Sequence, residues 1–184
     1  MKVLFIGDIV GRRARNYAQE KIVELKTKLK LDAIIVNVEN SAGGFGVTPS
    51  ICDDFFRVGA DVLTTGNHIW DKREIISYIT KNDRLLRPLN MIEGTPGLGM
   101  TTVDLDAGKI GVANIMQKTE NVLDTIPDNL ENLKLKKNVD FSLVDIHGEA
   151  SSEKMALGNA LDGKVTAVVG THTHVPTADY QILE

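Results

Sequence analysis

The sequence predicts an α/β protein in which much of the sheet is parallel. Short apolar runs alternate with amphipathic helical patterns, the arrangement that strand–helix–strand units require. Polar residues gather just past the carboxyl ends of those runs, where an open α/β sheet places its ligand site. The chain has 184 residues, 42% apolar and 25% charged. That is enough to bury one sizeable core, so a single domain over 1–184 is expected.

The elements follow in order. Val3 to Ile6 is a compact β-type run. Residues 14–30 place Ala18, Ile22, Leu25 and Leu29 on one helical face. Ala33 to Val38 reads as a second strand, closed by the glycine-rich stretch Ser41 to Gly46. Thr48-Pro49 reads as an N-cap with proline at the first helical position, opening a helix to about Val58. Asp61 to Thr65 is a third strand, and Asp71 is placed to cap a helix through Ile79. Pro88, Gly94, Pro96, Gly97 and Gly99 then mark a loop, and a cap-like excursion is expected at about 87–120. Inside it, Thr101–Leu105 and Ile110–Ile115 form a hairpin around Asp106 to Lys109. Residues 117–138 are polar and carry no clear period. Phe141–Ile146 and Val165–Val169 are buried-strand runs, with a short helix near Ser152 to Leu157 between them. Tyr180 to Glu184 reads as the start of another strand, as if a further segment followed.

Composition removes several classes of function. The net charge of −4 disfavours broad binding to duplex nucleic acid, which needs a basic surface. The single cysteine, Cys52, excludes an internal disulfide framework and fits a reducing compartment. The apolar start of the chain meets Asp8 too early for a signal peptide or a membrane span, so a cytoplasmic protein without a membrane partner is expected.

The residues after the strands carry the chemistry. The first run ends in Asp8, the second in Glu39-Asn40, and the third in Gly66-Asn67-His68. The Phe141 run ends in His147, and the Val165 run ends in Gly170-Thr171-His172-Thr173-His174. All four histidines of the chain therefore lie just past a strand. Imidazole and carboxylate at one sheet end suit manganese, iron, zinc or cobalt, and the absence of a cysteine cluster argues against a structural zinc site. Two metals need a bridging carboxylate between them, and such a pair activates water and steadies a phosphoryl transition state.

Gly7-Asp8, Asn67-His68, His147 and Gly170-x-His172-x-His174 resemble the calcineurin-like metallophosphoesterase superfamily. More narrowly, Leu4 to Gly11, Asn37 to Asn40, Thr65 to Asp71, Arg87 to Asn90 with Gly94 to Gly97, and Val169 to Val175 look like the bacterial YmdB-type phosphodiesterases. The resemblance runs the length of the chain in the right order. It implies a four-layer α/β/β/α sandwich, with C-terminal strands of the second sheet continuing past Glu184. It implies a pair of transition metals, iron first and manganese next. Carried onto this sequence, Asp8, Glu39, Asn40 and His174 would hold the first metal. Glu39 as the bridge, with Asn67, His147 and His172, would hold the second. His68 would be the general acid. The implied substrates are small nucleotide phosphodiesters, the 2′,3′-cyclic nucleotides. The wider superfamily has Asp-x-His at the first strand, whereas this chain has Asp8-Ile9-Val10. Asn40 beside Glu39 would supply the replacing oxygen, and Glu39 stands where the superfamily uses aspartate.

Two other readings stay open beside the phosphodiesterase: a metal-containing regulatory or nucleotide-binding protein with little turnover, and a metal hydrolase of amides or esters. A homo-oligomer is open as well. Bland roles are expected elsewhere. Gly43, Gly44 and Gly46 read as a turn, Arg12, Arg13 and Arg15 as a solvated cluster, and Trp70 as loop packing. Glu149 and Glu153 read as surface residues, and Cys52 as a small core residue.

Overall fold

The computed structural model describes residues 1–117 and 139–183. Three parallel strands form the first sheet: β1 (Val3–Ile6), β2 (Ala33–Asn37) and β3 (Val62–Thr64), with β2 in the middle. The second sheet has the order β4 (Met100–Leu105), β5 (Gly108–Met116), β6 (Phe141–His147) and β7 (Ala167–Thr171). The β4–β5 pair is the antiparallel hairpin, turning at Asp106-Ala107, while β5, β6 and β7 run parallel. The helices are α1 (Gly11–Leu29), α2 (Pro49–Arg57), α3 (Ile75–Ile79) and α4 (Ser151–Ala160).

Alternation along the strands divides the core. On β2, Ile34 and Val36 pack with Ala18 and Ile22 of α1, with Ile51, Cys52 and Phe55 of α2, and with Ile75 and Ile79 of α3. The opposite face offers Ala33 and Ile35, which join Val62 and Leu86 against Ile110, Val112 and Leu143 of the second sheet. The outer face of the second sheet, with Ala113, Ile115, Val144 and Ile146, receives Leu157 of α4 and Leu161. A period of two along each strand is what lets one strand serve two such clusters.

Local chemistry explains the element ends. Thr48 Oγ1 accepts from Ile51 N at 3.4 Å, and Pro49 opens α2 as its sequence position indicates. The segment Asn40–Gly46 is a turn: Ala42 N donates to Gly46 O at 2.9 Å and Gly44 N to Asn40 O at 3.1 Å. Gly43, Gly44 and Gly46 have positive φ, which other residues adopt only with strain.

Three expectations are corrected. Asp71 does not cap α3, which begins later at Ile75 after Glu74; its carboxylate faces His68 instead. Leu29 lies on the predicted helical face but is 44% exposed, at the last residue of α1. Tyr180 to Leu183 adopt no strand, and Tyr180 and Ile182 are exposed. Most of the unassigned 117–138 stretch lies outside the described residues. Cys52 is fully buried, and burial pushes its thiol well above the usual range, which fits a core residue and not a nucleophile. Among the described residues, no helix is long and apolar enough to cross a membrane.

The burial pattern predicts a contrast within the apolar set. Ile35→Ala, in the seam between the sheets, is expected to cost about 2–5 kcal/mol of stability by chemical denaturation. Leu29→Ala should stay within about 0.5 kcal/mol of wild type.

Candidate metal centre at the strand ends

The site forms where the carboxyl ends of both sheets meet. Asp8 follows β1, Glu39 and Asn40 follow β2, and Asn67 and His68 follow β3. His147 ends β6, and His172 and His174 follow β7. The first sheet thus brings carboxylates, amides and His68, and the second brings the other three imidazoles.

Glu39, His147 and His172 form one tight group of potential metal-binding atoms. His147 Nε2 lies 3.0 Å from Glu39 Oε1, 3.0 Å from Asn67 Oδ1 and 3.0 Å from His172 Nδ1. One ring nitrogen carries at most one proton, so three such neighbours cannot all be satisfied by hydrogen bonds from it. Ligands at right angles on a metal with bonds of about 2.1 Å lie about 3.0 Å apart, so the spacing matches a shared cation.

Asp8, Asn40 and His174 stand beside this group. Asp8 Oδ2 accepts from His172 N at 2.9 Å, and His174 Nε2 is 3.6 Å from Asp8 Oδ1. Asn40 Nδ2 lies 3.1 Å from Glu39 Oε1 and 3.2 Å from His174 Nε2. Glu39 Oε1 therefore touches both groups. Asp8 Oδ1 and Asn40 Oδ1 are buried without a hydrogen-bond partner among the described residues. Orphaned buried oxygens are costly unless something positive meets them, so the donor set fits a cation on this side too. Rotating the Asn40 amide by half a turn would bring its oxygen to the point where its nitrogen now meets Glu39 and His174.

Burial and charge oppose each other within the cluster. Burial works to raise Glu39 and to lower His147, but their mutual hydrogen bond and attraction prevail: Glu39 is held below its usual range and His147 above it. His172 is lowered, first by burial and then by His147.

The sequence reading missed the residues that aim these rings. Asp145 is fully buried between the sheets. It accepts from Thr64 Oγ1 at 2.6 Å and Asn37 Nδ2 at 3.1 Å on Oδ2, and from Thr171 Oγ1 at 2.7 Å on Oδ1. Thr171 is the register partner of His147, and His147 Nδ1 lies 3.0 Å from its hydroxyl. The hydroxyl has given its one proton to Asp145, so Nδ1 donates and the Nε2 lone pair is left for the cluster. His172 Nε2 has Glu149 Oε2 at 3.2 Å, which leaves Nδ1 for the same point. Glu149, read from sequence as a surface residue, is exposed but does reach a histidine of the site. The signal for Asp145 was present, an acid inside an apolar strand run, but its partners come from three strands that only the fold assembles.

His68 stands apart from the donor group. Its backbone N donates to Glu39 Oε2 at 3.3 Å, while its ring Nδ1 lies 2.8 Å from Asp71 Oδ2. Asp71 accepts from Nδ1–H, which leaves Nε2 as the nitrogen available to another molecule. Arg15 donates to Ser41 O at 3.1 Å and is spent on the turn, while Trp70 packs against the core around α1 to α3.

The segment carrying His172 and His174 is strained. Their φ values are 100° and 55°, a region that non-glycine residues enter at a cost. The His172 N–Asp8 bond and a bond from Lys154 Nζ to Thr171 O at 3.0 Å hold it there. Gly66 is an opposite case: a Cβ there would sit 2.3 Å from Glu39 Oε2 and from His147 Nε2.

Two sheets meeting over a carboxylate, amide and imidazole cluster define an α/β protein with a candidate metal centre at its strand ends. The chain belongs to the YmdB-like protein family, which it matches over residues 4–184. It is 44% identical to the 2′,3′-cyclic-nucleotide 2′-phosphodiesterase of Bacillus subtilis (strain 168), over all of this chain and 70% of that protein. A solved structure of a hypothetical protein from Thermus thermophilus superposes with a TM-score of 0.87 at 34% identity, covering 100% of this chain and 72% of the other. A solved structure described as a novel phosphatase, from Mycoplasma pneumoniae, gives a TM-score of 0.86 at 32% identity, covering 100% and 68%.

Thr171→Val removes the hydroxyl between Asp145 and His147 without changing the volume. It is expected to cost about 1–3 kcal/mol in a denaturation midpoint, with Thr171→Ser restoring most of it. Gly66→Ala forces Glu39 and His147 apart and should cost about 1–3 kcal/mol in the same assay. An unchanged midpoint in either variant would contradict the packing described.

Proposed function

We propose that this chain is a two-metal phosphodiesterase acting on 2′,3′-cyclic nucleotides or similar small nucleotides, on an α/β/β/α four-layer frame. The observation that carries the proposal is the convergence of Glu39, Asn67 and His172, each at 3.0 Å, on His147 Nε2. The relative in Bacillus subtilis, whose name states that activity, supports the choice of substrate.

In this reading Asp8, Glu39, Asn40 and His174 would hold one metal, and Glu39, Asn67, His147 and His172 would hold the other. The donors are nitrogen and oxygen only, which suits manganese, iron, zinc or cobalt; the family resemblance puts iron first and manganese next. When bound, such a pair supplies positive charge for the phosphoryl oxygens and acidifies a water. The chain's own part is to hold that charge in place and to deliver a proton. His68 does the second. With Nδ1–H fixed by Asp71, the doubly protonated ring gives its Nε2 proton to the ribose O2′ as the P–O2′ bond breaks and the new P–O bond to water forms; the proton that this water sheds passes to solvent, and the product is a 3′-phosphate. Asp71, expected from sequence to cap a helix, is then the positioning residue for the acid.

Elemental analysis of the purified chain should find close to two transition metals per chain. His68→Ala should lose about 10²- to 10⁴-fold in kcat while retaining those metals. Loss of metal in step with activity would make His68 a ligand and overturn its role as the acid. Tight cyclic-nucleotide binding without turnover, in fully loaded protein, would favour a regulatory protein instead.

A further inference from the structure

We propose that Phe45 is the platform on which the nucleobase of the substrate stacks. This rests on the cyclic-nucleotide reading above and adds to it a subsite for the base.

Phe45 is 58% exposed, at the tip of the turn that follows Asn40. Single exposed aromatics are common and mean little alone. The position of this one is what matters. The turn is closed on one side by the Gly44 N to Asn40 O bond and across its base by the Ala42 N to Gly46 O bond. On the other side Gly46 lies so close to Asp71 and Lys72 that a Cβ would be 3.2 Å from Asp71 Cβ and 3.0 Å from Lys72 Cγ. Phe45 is therefore held between the metal-ligand end of β2 and the loop that carries His68. Its ring meets the His68 ring edge-on, with centroids 5.0 Å apart and planes at 67°.

The chemistry of the substrate places a base here. In a 2′,3′-cyclic nucleotide the oxygen that leaves, O2′, sits on C2′, and the neighbouring C1′ carries the base. A ribose whose O2′ reaches His68 Nε2 has its base a few bonds from that ring, and Phe45 is the apolar surface beside it. Every base has a flat π-face, so an aromatic platform binds them all and favours those with more area, the purines. No base-specific hydrogen bond is required, which fits a turn whose tip is glycine and phenylalanine.

The test compares two substrates with the same reacting group: adenosine 2′,3′-cyclic phosphate, and methyl riboside 2′,3′-cyclic phosphate, which has no base. The metal-loaded full chain is expected to prefer the adenosine compound through a lower KM. Phe45→Ala should reduce that preference about tenfold, the size of one lost base–aromatic stack, with the loss mainly in KM and not kcat. Phe45→Trp should restore it. Calorimetric binding of adenosine 3′-phosphate against ribose 3-phosphate should follow the same order. A preference that survives Phe45→Ala, or wild-type protein that turns over both compounds with equal KM, overturns the platform and leaves the phosphodiesterase standing. Wild-type protein that hydrolyses neither compound overturns the cyclic-nucleotide reading, and the platform with it.

Discussion

One buried carboxylate organises the rest. Asp145 lies in the seam between the sheets, where an isolated charge would cost several kcal/mol. Burial pushes its carboxyl above the usual range, and bonds from Thr64, Thr171 and Asn37 pull the other way. Two of those partners belong to the first sheet and one to the second, so satisfying Asp145 requires the sheets to sit in a single relation. Asn114 repeats the device nearby: its Oδ1 accepts from Thr65 N at 3.1 Å, and its Nδ2 donates to Asp145 O at 3.3 Å. Apolar packing of Ile35 against Ile110 and Val112 would tolerate sliding. A hydrogen-bonded charge tolerates much less, because any slip leaves it unpaired.

The same seam turns a structural contact into a chemical one. His147 sits one pleat above Asp145 on the same strand, and Thr171 spans the step between them. The orientation of a cluster imidazole is thereby tied to the packing of the two sheets. Glu39 has the corresponding place in the first sheet, touching His147, Asn40 and the backbone of His68. Gly66 is small so that these two residues can meet. The site is thus a product of sheet register and not of any one loop.

Much of this was legible in the sequence, for physical reasons. A strand with period two and a helix with period near four announce themselves, and histidines gathered just past the strands do so too. Seven of the eight residues expected to form the site meet in side-chain contacts, because strand ends converge whatever the details of the loops; His68 reaches them through its backbone N–H alone. What the sequence hid depends on partners and packing that no local pattern names. Asp71 follows the pattern of an N-cap, yet a histidine three residues earlier competes for it and wins. Asp145 lies unmarked inside the Phe141–Ile146 run, and its partners sit on three other strands. Leu29 obeys the helical period but ends its helix exposed, which the period alone does not record. Glu149 meets His172 because β6 and β7 pair side by side, so the residues that follow His147 and Thr171 come together.

The bond from His172 N to Asp8 Oδ2 joins positions 164 residues apart. Closing so long a loop carries an entropic cost that local contacts do not repay, so such a contact belongs to the end of folding. Two strained histidines depend on it. Early compact states of the chain, with β1 to β3 and α1 to α3 already packed, would hold Asp8, Glu39 and Asn40 without their imidazole partners. They would be acidic surfaces with weak and unselective affinity for cations. Selectivity by geometry arrives only when the last parallel strand docks. In such an order of assembly the carboxylates and amides of the strand ends come first, and His147, His172 and His174 join them with the second sheet.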